Sequence, residues 1–109
     1  MLQIIGFVDS EFSDGEGPTA EEFISYQQAL LSAGVHVDSG YLDDYQLATS
    51  VRVDSSGERI VTNGPFPETR EYLGGWNFID VPDLDAALDW AARNPGARYG
   101  RIEIRPVMG

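Results

Sequence analysis

Apolar and polar positions recur along this chain with two periods, near two and near 3.6, and their order marks out strands and helices in turn. Leu2–Val8 is a short apolar run with β-branched side chains and no clean alternation, which predicts a central strand covered on both faces. Gly15, Gly17 and Pro18, with Asp9, Glu11, Asp14 and Glu16, turn the chain into an acidic loop. Thr19-Ala-Glu-Glu22 has the form of a capping box. Phe23, Tyr26, Leu30 and Ala33 follow at helical spacing, and Gly34 stands where a helix ends.

The period returns to two over Val35–Tyr41, with Val35, Val37 and Ser39 on one face and His36, Asp38 and Gly40 on the other. Leu47–Val53 and Arg59–Thr62 flank the turn residues Asp54-Ser-Ser-Gly57 and predict a β-hairpin. Trp76–Val81, preceded by Gly74-Gly75, predicts a further strand. Asp83 caps a second helix, whose Leu84, Ala87, Leu88 and Ala91 form one apolar stripe and which Asn94-Pro95-Gly96 stops. Arg101–Arg105 closes the pattern, alternating Arg101, Glu103 and Arg105 against Ile102 and Ile104.

This order predicts one α+β domain spanning residues 1–109: a ferredoxin-like βαββαβ fold with an inserted β-hairpin and both helices on one face of an antiparallel sheet. The strands are apolar on their other face as well. A chain of 109 residues is too short to cover both. Packing two sheets across a two-fold axis is the economical solution, so a homodimer is expected, with any sizeable pocket shared between subunits.

Charge narrows the partners. Eighteen acidic residues oppose seven basic ones, all arginine, for a net charge of −11. Such a surface repels phosphate backbones and anionic headgroups, so neither nucleic acid nor membrane is an expected partner. There is no cysteine, hence no disulfide and no thiolate chemistry. Met1–Val8 lacks the features of a signal peptide, and no apolar run approaches the ~20 residues of a membrane span, so a soluble cytoplasmic protein is the expectation. The spacing of the acidic loop does not match a calcium loop, and no phosphate-binding or dinucleotide fingerprint occurs, so neither a metal nor another cofactor is expected.

Three groups of residues carry candidate chemistry. His36 is the sole histidine, and Asp38 lies on the same predicted strand face, ~7 Å along the strand. They read either as a catalytic acid–base pair or as a histidine at a sheet rim or dimer seam. Arg101, Glu103 and Arg105 share a face, and read as a clamp for a carboxylate or phenolate or as a structural ion pair. The third group is Thr62–Trp76, where Asn63-Gly64-Pro65 has turn chemistry and Glu68, Arg70 and Glu71 crowd behind Phe66. Asn63, Phe66, Glu68, Glu71 and Trp76 are its candidate substrate-binding residues.

The string Asn63-Gly-Pro-Phe-Pro-Glu-Thr-Arg-Glu71, then Leu73-Gly-Gly, Ile79-Asp-Val-Pro-Asp-Leu-Asp-Ala-Ala-Leu88 and Glu103-Ile-Arg-Pro-Val107, resembles the YCII-related family. Within it, the likeness is to the branch named for its Asp-Gly-Pro-Phe motif. The resemblance runs over nearly the whole chain and is densest from 61 to 107. It implies a dimeric α/β barrel and, for activity, cofactor-free proton-transfer chemistry of the isomerase, lyase or cyclase type on a small carbonyl or phenolic compound. Family enzymes of that kind are thought to pair an aspartate with a histidine on the first helix. This chain has Tyr26 and Gln27 in that region, and Asn63 where the motif has aspartate; an amide cannot serve as a carboxylate base. The resemblance equally allows a non-enzymatic accessory or regulatory protein tied to a sigma-factor system or a biosynthetic cluster, or a ligand-binding remnant in which Asn63 marks lost catalysis.

Overall fold

The computed structural model describes residues 1–10, 17–64 and 71–108, with Asp9, Ser10 and Glu71 described by backbone alone. Strand β1 (Leu2–Ser10) leads to helix α1 (Ala20–Ser32), then to β2 (His36–Tyr41) and a 3₁₀ turn over Tyr45–Leu47. The hairpin β3 (Thr49–Val53) and β4 (Arg59–Asn63) follows, and β5 (Glu71–Asp80), α2 (Leu84–Arg93) and β6 (Arg101–Pro106) complete the order. Four strands make one antiparallel sheet, ordered β2-β5-β1-β6, while β3 and β4 pair only with each other. This is the expected ferredoxin-like topology with its inserted hairpin.

Local chemistry sets the helix ends. Thr19 accepts from the Glu22 backbone N–H at 3.2 Å while Glu22 accepts from the Thr19 N–H, so the capping box forms as read. Asp83 caps α2 by accepting from the Ala86 N–H at 2.8 Å. Gly34, just past α1, takes φ +75°, a region that suits glycine. Two boundaries differ from expectation. Leu47 ends the 3₁₀ turn instead of opening the hairpin, and β5 begins at Glu71, so Gly74 and Gly75 lie inside the strand.

Register assigns the faces. Ile5 of β1 sits opposite Asn77 and Ile104, on the side covered by the helices. There Ile5, Leu30 and Ile79 are fully buried, with Tyr26, Val81, Ala87 and Ala91 around them. Each large side chain so buried contributes about 1.5–3 kcal/mol relative to exposure. Ile4 sits opposite Phe78 and Arg105, Gly6 opposite Trp76 and Glu103, and Val8 opposite Leu73 and Arg101, all on the open face. No helix covers it.

Tyr26 shows how firmly α1 is seated. Its ring meets Trp90 of α2 edge-on, with centroids 6.3 Å apart, and its hydroxyl donates to the Trp90 carbonyl at 2.8 Å. Burial pushes its phenol up from 10.0 to about 12, against smaller lowering effects of Asn94 and Arg93. Below pH 10 neither the folded nor the unfolded state ionises this group. Between pH 10 and 12 the unfolded chain releases a proton that the fold retains, so stability falls as pH rises. The melting temperature is therefore expected to drop more steeply across that interval in the native chain than in Tyr26→Phe, as read by circular dichroism.

Candidate functional site

The structure separates residues that the alternating pattern brought together. A bulge in the β2–β5 ladder sets His36 opposite Ile79 and Asp38 opposite Phe78, so one extra residue sits between them on β2. His36 consequently lies on the helix face and Asp38 on the open face. The expected His36–Asp38 pair does not form; His36 Nε2 meets Ser39 Oγ instead, at 2.7 Å.

Ser39 belongs to a chain of polar groups running under the helices. The Gly96 N–H donates to Asn94 Oδ1 at 2.8 Å, which turns the Asn94 amide nitrogen towards Asn77 Oδ1 at 3.5 Å. Asn77 Nδ2 in turn donates to Ser39 Oγ at 2.7 Å. Asn77 and Asn94 are only 8% and 3% exposed, so neither amide exchanges these partners freely with water. With that bond accepted, Ser39 Oγ keeps its proton and a second lone pair, and either donates to His36 Nε2 or accepts from it. Where Ser39 donates, neutral His36 carries its proton on Nδ1. Beside the two asparagines lies a cavity of about 40 Å³, walled by Phe7, Phe23, Tyr41 and Trp76, enough for a few water molecules. Phe23 packs edge-on against Tyr41 with centroids 5.2 Å apart, and burial raises the Tyr41 phenol.

Arg101, Glu103 and Arg105 are placed as the period-two pattern reads. They share the open face and, with Ile4, Gly6, Val8, Tyr72, Leu73 and Pro106, line a cleft of about 470 Å³. That volume lies within the range of small-molecule sites, and its floor is apolar. Among the described residues Arg105 makes no ion pair. A groove of about 460 Å³ between the helices contains Arg93 and Arg98, but Arg98 is committed to Glu22 and Arg93 lies over the Trp90 ring at 4.4 Å.

Trp76 and Phe78 lie on the open face, on the far side of β1 from the arginines. Trp76 covers Gly40 so closely that a Cβ there would overlap its ring. Asn63 ends β4 in the hairpin, exposed, and lines none of the three described clefts. Phe66 and Glu68 lie outside the described residues, as does the side chain of Glu71.

His36 does not share a site with Arg101 or Arg105 within one protomer. They occupy opposite faces and the two outer strands, ~14 Å apart at three strand spacings. Ser39, Asn77 and Asn94 were not singled out from sequence. The Asn94-Pro95-Gly96 stop signal marked the position of Asn94 but not its amide's role.

Residues 9–109 match the family model described as the YCII-related domain. An uncharacterized protein of Rhizobium meliloti (strain 1021) is 47% identical over 55 residues, covering 49% of this chain and 44% of that protein. The chain thus covers less than half the length of that relative. No helix among the described residues is long and apolar enough to cross a membrane.

The hydrogen-bond direction is open to direct measurement. Long-range ¹⁵N–¹H correlation spectra of the neutral imidazole should show His36 protonated on Nδ1. Ser39→Ala should relax that preference.

Proposed function

The chain belongs to the YCII-related family, and from that premise we propose that it is a soluble, homodimeric small-molecule-binding domain of the Asp-Gly-Pro-Phe branch. Its ligand is a small organic anion with a flat apolar body, a carboxylate or a phenolate. One observation carries this reading: exposed Arg105 and Arg101 stand at the edge of an apolar cleft of about 470 Å³ in a chain whose net charge is −11. Most of this acidic surface repels an anion, and this cleft is where cationic groups border an apolar floor. Guanidinium groups suit planar oxyanions because two N–H donors align with two oxygens. Glu103, between the arginines on the same face, orients them or accepts from a ligand hydroxyl. A second protomer packed on this face would seal the cleft from water and strengthen each of those bonds.

A second reading rests on the polar chain of His36. There half-buried His36 and Ser39 form a candidate proton-handling pair, with Asn77 donating to Ser39 Oγ. This is the proton-transfer chemistry the family resemblance implies, with Ser39 taking the part expected of Asp38. His36→Gln should lower turnover of a converted compound at least tenfold and leave anion binding at the open-face cleft unchanged, because the two sites lie on opposite faces.

The binding reading is tested with 4-hydroxybenzoate, which carries both anionic groups on one ring. Titration followed by tryptophan fluorescence should saturate. Arg105→Gln should weaken binding roughly 10–100-fold, the ~1.5–3 kcal/mol of a charge-assisted bond. A flat titration, or equal affinity in the variant, would remove the cleft as the site.

A further inference from the structure

The β3–β4 hairpin is an arm. Among the described residues no backbone hydrogen bond joins its strands to the four-stranded sheet. The chain has a radius of gyration of 15.9 Å and a longest extent of 48 Å, where a compact chain of this length has a radius of about 13 Å. Register sorts the arm's side chains. Val51 faces Val61 and Val53 faces Arg59, so one face carries three valines, Arg59 and the polar ends Thr49 and Asn63. Val51, Val53 and Val61 are 62%, 65% and 54% exposed. A lone two-stranded ribbon is marginal in water, and one with an uncovered valine face more so.

Area and charge point to what covers it. Each face of the arm measures only ~170 Å² (five residues by two strands), well short of the ~800 Å² per partner of a stable interface. The open face of the main sheet adds roughly 400–600 Å² of projected area, four strands by six to ten residues. Arm and open face together approach the requirement; neither does alone. The valine face bears one charge, Arg59, and no carboxylate. The open face offers Glu103 and Asp38 as its complement, around apolar Ile4, Leu73, Trp76 and Phe78. The two surfaces match in polarity, and Glu103 and Asp38 offer Arg59 a partner, while Arg101 and Arg105 of the same face are left to the cleft beneath.

We infer that the arm is exchanged between two copies of the chain, each laying its Val51–Val53–Val61 face on the other's open sheet face and roofing the Arg101–Arg105 cleft. The site is then incomplete in one protomer. This rests on the reading of the open face as the two-fold interface, and adds that the partner supplies the roof.

The absence of cysteine makes the test clean. Val61→Cys and Leu73→Cys, both at exposed positions, are prepared as separate chains, mixed and mildly oxidised. Arm exchange predicts a mixed Val61→Cys/Leu73→Cys disulfide dimer as the main product. Linkage of Val61→Cys only to itself would mean that the arms meet each other, and overturns the proposal, as does no linkage. A charge exchange supplies a second measure. Arg59→Glu alone and Glu103→Arg alone should each weaken dimerisation several-fold in sedimentation analysis, and the double variant should recover it; unchanged dimers in both single variants overturn the exchange. A native chain of 12.0 kDa that stays monomeric at micromolar concentration overturns the dimeric reading as well. A native dimer without the mixed disulfide overturns the arm exchange alone.

Discussion

Two helices can cover one face of a four-stranded sheet, and the rest of this molecule is organised around that limit. Helices α1 and α2 spend their apolar stripes on Ile5, Ile79, Ile102 and Ile104. The opposite face is apolar on β1 and β5, with Ile4, Leu73, Trp76 and Phe78, and no helix among the described residues meets it. Leu73 is exposed and the other three are half-buried, and covering what still touches water contributes about 25 cal/mol per Å². Association across that face is the natural outlet. The arginines of β6 lie along its edge, which makes a ligand cleft and an association surface parts of one region.

The same limit divides the chemistry. On the helix face Asn77 and Asn94 are buried and His36 and Ser39 half-buried, and the four supply one another with hydrogen-bond partners. Polar groups on the open face are reachable, and Arg105 is exposed. The exposed arginines of β6 and the polar chain of His36 therefore belong to opposite faces of the sheet.

What was legible in the sequence followed periodicity. The capping box and the shared face of Arg101, Glu103 and Arg105 depend on neighbours a few residues away, and both stand in the structure; of the expected α2 stripe Ala87 and Ala91 are buried, while Leu84 and Leu88 are exposed. The fate of His36 and Asp38 does not depend on near neighbours. A bulge is a property of two strands, set by how β2 meets β5, and one extra residue on β2 is enough to send the two side chains to opposite faces. The Asn77–Asn94 contact was hidden for a related reason: it joins a strand to the residue ending a helix 17 positions later. Gly74-Gly75 misled in the other direction. Paired glycines before Trp76 allow a sharp turn or a close approach to a ligand, but here they leave room for Phe7 and Tyr41 against a continuous strand.

Strand β2 links the two halves of the molecule. Its helix-face residues His36 and Ser39 belong to the buried polar chain, while its open-face residue Gly40 lies beneath the ring of Trp76. Gly40 and Trp76 are direct partners across the β2–β5 ladder, and the next pair, Tyr41 and Gly75, places a ring on the helix side. An edge strand held by one neighbour moves more readily than β1, which is held by two. A shift of β2 would therefore change the distance from His36 to the Asn77 chain and the seat of Trp76 in the same movement. Glycine at position 40 permits this close seating, since any side chain there would lift the indole off the strand and loosen the floor of the open face. The bulge that removed Asp38 from His36 thus leaves one edge strand with the polar chain on its helix face and the seat of Trp76 on its open face.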